Sequence, residues 1–217
     1  MLRNIYYILI FFFSFFTVIQ AENINIFEFT EDELSTLKVR KIRGADAKTL
    51  YSVGKNDNGN FLRAEANNSA SGLGKQIKIN LYETPFLNIT WKVEKDLNGI
   101  VENSKKGHDY AARVFVVKKT GVTPLSNRAM NYVFSSNNSV NTYQPSPYTK
   151  KSIDYVLSTT IENLNHWVTV KVNVRDHFKK FHNLDLKEIN GIAVMSDTDN
   201  SKLSSIAYYQ NIYFSSE

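Results

Sequence analysis

Cysteine is absent from the 217-residue chain. That removes disulfide staples, thiol nucleophiles, thiolate metal sites and iron–sulfur clusters from consideration. A one-signed charge block is absent as well. The 26 basic and 21 acidic residues are interspersed and leave a formal net charge of +5, too modest and too even for a nucleic-acid-binding stripe. There is no glycine-rich phosphate loop, no G-x-S-x-G elbow, no H-E-x-x-H helix and no dinucleotide-binding turn. The histidines lack metal spacing too: His177 and His182 stand five apart on a short helical stretch and read as solvated. No fixed-period repeat, long linker or break in composition divides the chain.

What is present begins with a targeting pattern. One positive residue, Arg3, precedes an unbroken apolar and aromatic run, Ile5–Ile19, and then "VIQAEN" with Ala21 at a small-residue cleavage position. The run is short for a membrane span, which needs about 20 residues. The reading is a signal peptide over residues 1–21, an exported protein (periplasmic or secreted), and one domain over residues 22–217. An uncleaved anchor, the only membrane contact this pattern offers, is the alternative. Without disulfides, that domain must rest on a hydrophobic core, and its length suffices for one.

Strand signals dominate the remainder. β-rich or alternating runs fall at 37–42, 49–53, 61–66, 76–81, 86–93, 110–117, 130–135, 153–157, 167–174, 191–195 and 206–214. Turn clusters separate them, including "ANNSASGLG" (66–74), "SSNNSVNTYQPSP" (135–147) and "SDTDNSK" (196–202). Helix is expected only at 30–37, where Thr30 and Glu33 fit a capping box, and at 174–184. Short strands without βαβ alternation predict an all-β, antiparallel β-sandwich with one or two short helices. In "FLNITWKVE", Leu87, Ile89, Trp91 and Val93 share a core face. In "WVTVKVNVRD", Val168, Val170, Val172 and Val174 do the same. One sheet face is therefore wet.

Candidate site residues follow from the same periodicity. In "GHDYAARVFVV", Tyr110, Ala112, Val114 and Val116 take the core face, leaving Asp109, Arg113 and Phe115 on the other. Four strand rises of ~3.3 Å would hold Asp109 and Arg113 apart, so each needs a partner from elsewhere. Either acids on adjacent strands answer them, or they line a binding face. Asp197 and Asp199 in "MSDTDN" offer hard oxygen ligands suited to a structural calcium, or cap a polar turn. In the terminal strand "AYYQNIYF", alternation puts Tyr209 and Tyr213 on one face, suited to stacking on sugar rings. N-x-S/T sequons occur at Asn67, Asn88 and Asn137.

Several motifs occur in order: "KTLY" (48–51), "ASGL" (70–73), "DYAARV" (109–114), "DTDN" (197–200) and "AYYQNIYF" (207–214). This ordered set resembles the bacterial family known as domain of unknown function 3047, over roughly residues 37–214. The family pattern has two consecutive acids where this chain has His108–Asp109, and the resemblance implies no activity. The last strand is also similar to that of galactose-binding-like jelly rolls. Together these give a jelly-roll sandwich acting as a non-catalytic binding module for a glycan or another envelope component. Asp109, Arg113, Tyr209 and Tyr213 are its ligand contacts and Asp197 and Asp199 its metal candidates; no catalytic residue and no other cofactor is assigned. The alternatives are a glycan hydrolase or lyase using Asp109, Arg113 and a loop carboxylate, and a structural envelope protein. Oligomeric state leaves no mark in the sequence.

Overall fold

Period-two patterning lays down two sheets, and their apolar faces meet. The computed structural model describes residues 23–37, 39–42, 44–123 and 126–217; the signal segment expected at 1–21 lies outside the described residues. The smaller sheet has six strands. Its order is β11 (Val168–Asn173), β6 (Phe86–Lys95), β13 (Ser204–Ser215), β4 (Gly59–Asn67) and β3 (Leu50–Asn56), with β1 (Asn23–Asn25) also paired to β13. The larger sheet has seven, in the order β2 (Val39–Lys41), β5 (Ala70–Asn80), β12 (Glu188–Asp197), β7 (Ala112–Lys118), β8 (Arg128–Ser135), β10 (Thr149–Thr159) and β9 (Tyr143–Ser146).

Every run read as a strand contains one, and β1 and β9 are additional. β9 carries Pro145 and lies at the sheet edge, where a missing N–H is tolerated. One pairing departs from a wholly antiparallel sandwich. β10 runs parallel to β8, because the long 136–148 connection returns the chain before β10 begins. The segment 70–74, expected as a turn, is instead the first half of β5. Its Gly72 and Gly74 reflect the close approach of β12, not a reversal.

Between the sheets, Leu87, Ile89, Trp91 and Val93 of β6 are fully buried, as the alternation requires. Trp91 meets Phe134 of the opposite sheet with ring centroids 5.5 Å apart, and its indole N–H donates to Ser158 Oγ at 3.0 Å. Ala112, Val114 and Val116 also point inward. Arg113, Phe115 and Val117 therefore face away from the core, on the outer surface of the seven-stranded sheet.

Helices close the ends. α1 (Glu31–Thr36) is capped by Thr30, whose Oγ1 accepts from Glu33 N–H at 3.1 Å. α2 (Thr160–Asn163) is a single unexpected turn. α3 (Val174–His182) buries Val174 and Phe178 and ends at Asn183 in the left-handed region, φ 55°. Its His177 is not solvated as expected. The ring lies 4.4 Å from that of Tyr155, and Nδ1 is buried without a partner among the described residues. Burial pushes this imidazole down, to about 4.

Candidate functional site

β7 and β12 pair antiparallel, with Met195 opposite Arg113, so Asp197 sits one diagonal step from Arg113 on the outer face. Arg113 Nε donates to Asp197 Oδ1 at 2.9 Å, and Nη2 donates to Asp197 Oδ2 and to the His108 carbonyl at 3.1 Å. The acid on an adjacent strand thus answers the arginine. The guanidinium also lies 4.8 Å from the Tyr110 ring centroid, stacked between protein groups. Burial works against its charge, yet Asp197 holds the Arg113 pKa above its ordinary range.

Asp109 does not share a strand face with Arg113. β7 starts only at Ala112, so Asp109 precedes the strand and ties down the loop after β12. Its Oδ1 accepts from Asn200 N (3.2 Å) and Nδ2 (2.9 Å), and Oδ2 accepts from Ser201 N at 2.6 Å. The "DTDN" turn is therefore capped by a carboxylate more than eighty residues away in sequence. Asp199, half-buried, completes the group: the carboxylates of Asp109, Asp197 and Asp199 converge within 4.8 Å.

Like charges in a dry setting raise proton affinity. Burial, reinforced by Asp109 and opposed by Arg113, pushes Asp197 up to about 6. Burial and then the Asp109 charge push Asp199 up as well. The donor inventory bears on the calcium expectation. Both oxygens of Asp109 accept protein N–H groups, and both oxygens of Asp197 accept from Arg113, with Tyr110 N–H adding to Oδ1 at 3.1 Å. Asp199 keeps its oxygens freest: among the described residues it is met by its own backbone N–H and by Asn200 Nδ2 at 3.5 Å. The three carboxylates could surround a cation, but two of them already serve the protein, which suits loop anchoring better than metal capture or proton transfer.

Beside this cluster lies a second, which sequence reading missed. His108 Nε2 is 2.7 Å from Asp154 Oδ2, and Asn131 Nδ2 donates to Asp154 Oδ1 at 2.6 Å. All three are buried on the outer face. Tyr148 arches over them, 57% exposed, its ring 5.6 Å from that of His108 and its hydroxyl donating to Asn200 Oδ1 at 2.5 Å. A signal did exist: Asn131 and Asp154 interrupt apolar strand runs at outward positions.

These groups line a cleft of about 520 Å³, which also takes in Asp199, Ser152 and Thr149. A shallower groove of about 340 Å³ continues across β12 and β5 and shares Ile42, Phe115 and Met195 with the cleft. Gly72 and Gly74 present no side chain there, so the groove floor is bare backbone. Arg40 and Lys119 rim this far end.

The terminal strand corrects the tyrosine expectation. Asn211 adopts φ 48° and the pairing with β6 shifts between Gln210 and Tyr213. This bulge inverts the alternation, so Tyr209 and Tyr213 lie on opposite faces. Tyr209 is fully buried; its hydroxyl donates to Met195 O at 2.6 Å and accepts from Arg113 N–H at 3.1 Å, bridging the sheets. It cannot stack on a ligand. Tyr213 belongs to the smaller sheet, away from the cleft.

No curated protein matches the chain. Among solved structures, the family 30 carbohydrate-binding module of a Clostridium thermocellum cellulosomal cellulase aligns with a TM-score of 0.51 at 10% identity, over 90% of this chain and 98% of that one. The xyloglucanase domain of a Sinorhizobium fredii type three effector, solved with cellobiose, gives 0.48 at 10% identity over 82% and 92%. A cellulase derived from a Rhodothermus marinus enzyme gives 0.46 at 11% identity over 81% and 90%. At 10% identity the likeness to the carbohydrate-binding module concerns the fold alone, a jelly-roll β-sandwich. The sequence itself places the chain more narrowly: a family model matches residues 35–213, and the chain belongs to the proteins of unknown function DUF3047.

Proposed function

We propose that this protein is an exported glycan-binding module whose ligand lies along the outer face of the seven-stranded sheet. The observation that carries this reading is the continuous groove itself. It has a backbone floor at Gly72 and Gly74, an apolar centre at Phe115 and Met195, and a polar end at Asp199, Asn200 and Tyr148. Extended concave surfaces of this make-up fit ligands with alternating apolar ring faces and hydroxyl edges. The fold shared with a carbohydrate-binding module supports the same reading by analogy. Arg113, Asp197 and Asp109 act here as framework that holds the cleft wall, not as direct ligand contacts.

The test is a glycan-array screen of the purified protein, followed by calorimetry on any ligand found. Phe115→Ala and Tyr148→Ala should each weaken binding about tenfold, the loss of roughly 1.4 kcal/mol of ring contact. Tyr213→Ala, on the other sheet, should change nothing. Unaltered affinity in both groove variants, or a blank array, would overturn the proposal.

A further inference from the structure

Hydrogen-bonding capacity in the cleft is lopsided. Three carboxylates converge within 4.8 Å and share one buried guanidinium, the nearby Lys202 ammonium being paired with Asp46, so negative charge is in excess. Asp199, half-buried, is met among the described residues only by its own backbone N–H and, at 3.5 Å, by Asn200 Nδ2. An independent feature points the same way. Asn131, fully buried and lining the same cleft, spends Nδ2 on Asp154, and its Oδ1 finds no donor among the described residues. A buried acceptor left unpaired costs about 1–3 kcal/mol, so such an atom calls for a donor from outside.

What is missing is therefore a donor-rich, positively charged group. A divalent cation fits poorly, since it needs six or more oxygen ligands and the oxygens of Asp109 and Asp197 are already engaged. An ammonium fits: it needs one free carboxylate and a few acceptors, and brings donors only. We propose that the acidic end of the cleft selects glycans bearing an unacetylated amino sugar, its ammonium paired with Asp199. This inference rests on the glycan reading above. The apolar and backbone-floored part of the groove would hold the flanking rings, leaving the charged end to decide which sugar enters.

The experiment compares three tetrasaccharides that differ at one substituent: glucosamine (ammonium), N-acetylglucosamine (neutral amide) and cellotetraose (hydroxyl). Calorimetry with the purified protein should show the glucosamine oligomer binding about tenfold tighter than either neutral one, as expected for a partly desolvated charge pair. That advantage should fall toward parity in about 0.5 M salt, which screens the pair. Asp199→Asn should narrow it to roughly twofold, the remainder of a hydrogen bond without charge. Equal or tighter binding of cellotetraose overturns the inference and leaves the glycan reading standing. An advantage that survives both salt and Asp199→Asn also overturns it. The salt series uses the unaltered protein, so it decides the matter even if the variant folds badly. Binding of none of the three overturns the inference, and a blank array beside it removes the glycan reading as well.

Discussion

Replacing Arg113 with methionine keeps an unbranched stem and deletes the guanidinium. Arg113 and Asp197 are each only 2% exposed, so water cannot take over the lost contacts. The variant forfeits the Nε bond to Asp197 and both bonds of Nη2, one of them to the His108 carbonyl. Asp197 is then left in a dry site with Asp109 and Asp199 nearby and Tyr110 N–H as its remaining donor. Breaking a buried pair in this way costs about 3–5 kcal/mol. At roughly 2–4 °C per kcal/mol for a chain of this size, melting should fall by about 6–20 °C. The loss should depend on pH in a definite direction. Asp197 already titrates near 6 with its partner in place, and without Arg113 it must rise further. A carboxyl whose folded value exceeds its unfolded one favours the folded state when protonated, and that advantage disappears as pH rises through the folded value. Destabilisation should therefore be larger at pH 8 than at pH 5. Urea unfolding at both pH values, followed by tryptophan fluorescence, measures it. Arg113→Met combined with Asp197→Leu removes the stranded charge and should recover most of the loss. A single-variant cost under about 1 kcal/mol at pH 8, or a double variant less stable than the single, would refute the assignment of this pair as framework.

Tyr209→Phe deletes a hydroxyl that donates to Met195 O and leaves the buried Arg113 N–H without its acceptor; a loss of about 1–3 kcal/mol in urea unfolding is expected, with glycan affinity unchanged. Asn211→Val places a β-branched residue at φ 48° and should cost about 1–3 kcal/mol, whereas Asn211→Gly should change melting little. His177 is held down at about 4, so the folded state takes up fewer protons than the unfolded one, and stability present above pH 6.5 is lost as pH falls toward 4. His177→Phe should flatten that acid limb, raising stability by about 1 kcal/mol at pH 4.5 and hardly at all at pH 7.5; the ring is partly exposed, which keeps the figure small. Equal shifts at the two pH values would take His177 out of the acid response.

The sandwich was legible in the sequence wherever one face of a strand meets the core and the other meets water. Leu87 through Val93 and Ala112 through Val116 alternate because solvent and core impose a period of two, and burial follows that period except at Asn88 and Arg113, whose outward side chains are covered by other protein groups. The signal fails where a strand is polar or small on its outward face for a reason outside itself. Ser71, Gly72 and Gly74 resemble turn chemistry, but the two glycines let β5 form the backbone floor of a groove, and Ser71 is buried, accepting from Thr49 N–H. The bulge at Asn211 is hidden in the same way. A single residue in the left-handed region leaves Tyr209 in the core and Tyr213 outside, whereas unbroken alternation would put both on one face.

By itself, then, the sequence determined the all-β class, the core faces and which segments carry unusual charge, since these depend on local pattern and on the cost of burying it. Only the tertiary structure decided what those charges are for. Arg113 and Asp197 meet because β7 and β12 are neighbours, and Asp109 reaches Asn200 and Ser201 because a loop folds back across the sheet end. Asp154 and Asn131 join His108 through a parallel pairing that no local signal announces. Contacts between residues 23 to 92 positions apart have no period along the chain. They exist because strand order brings them to one face, and there Arg113 answers Asp197 and the Asn200–Ser201 loop answers Asp109, while Asp199 faces the cleft.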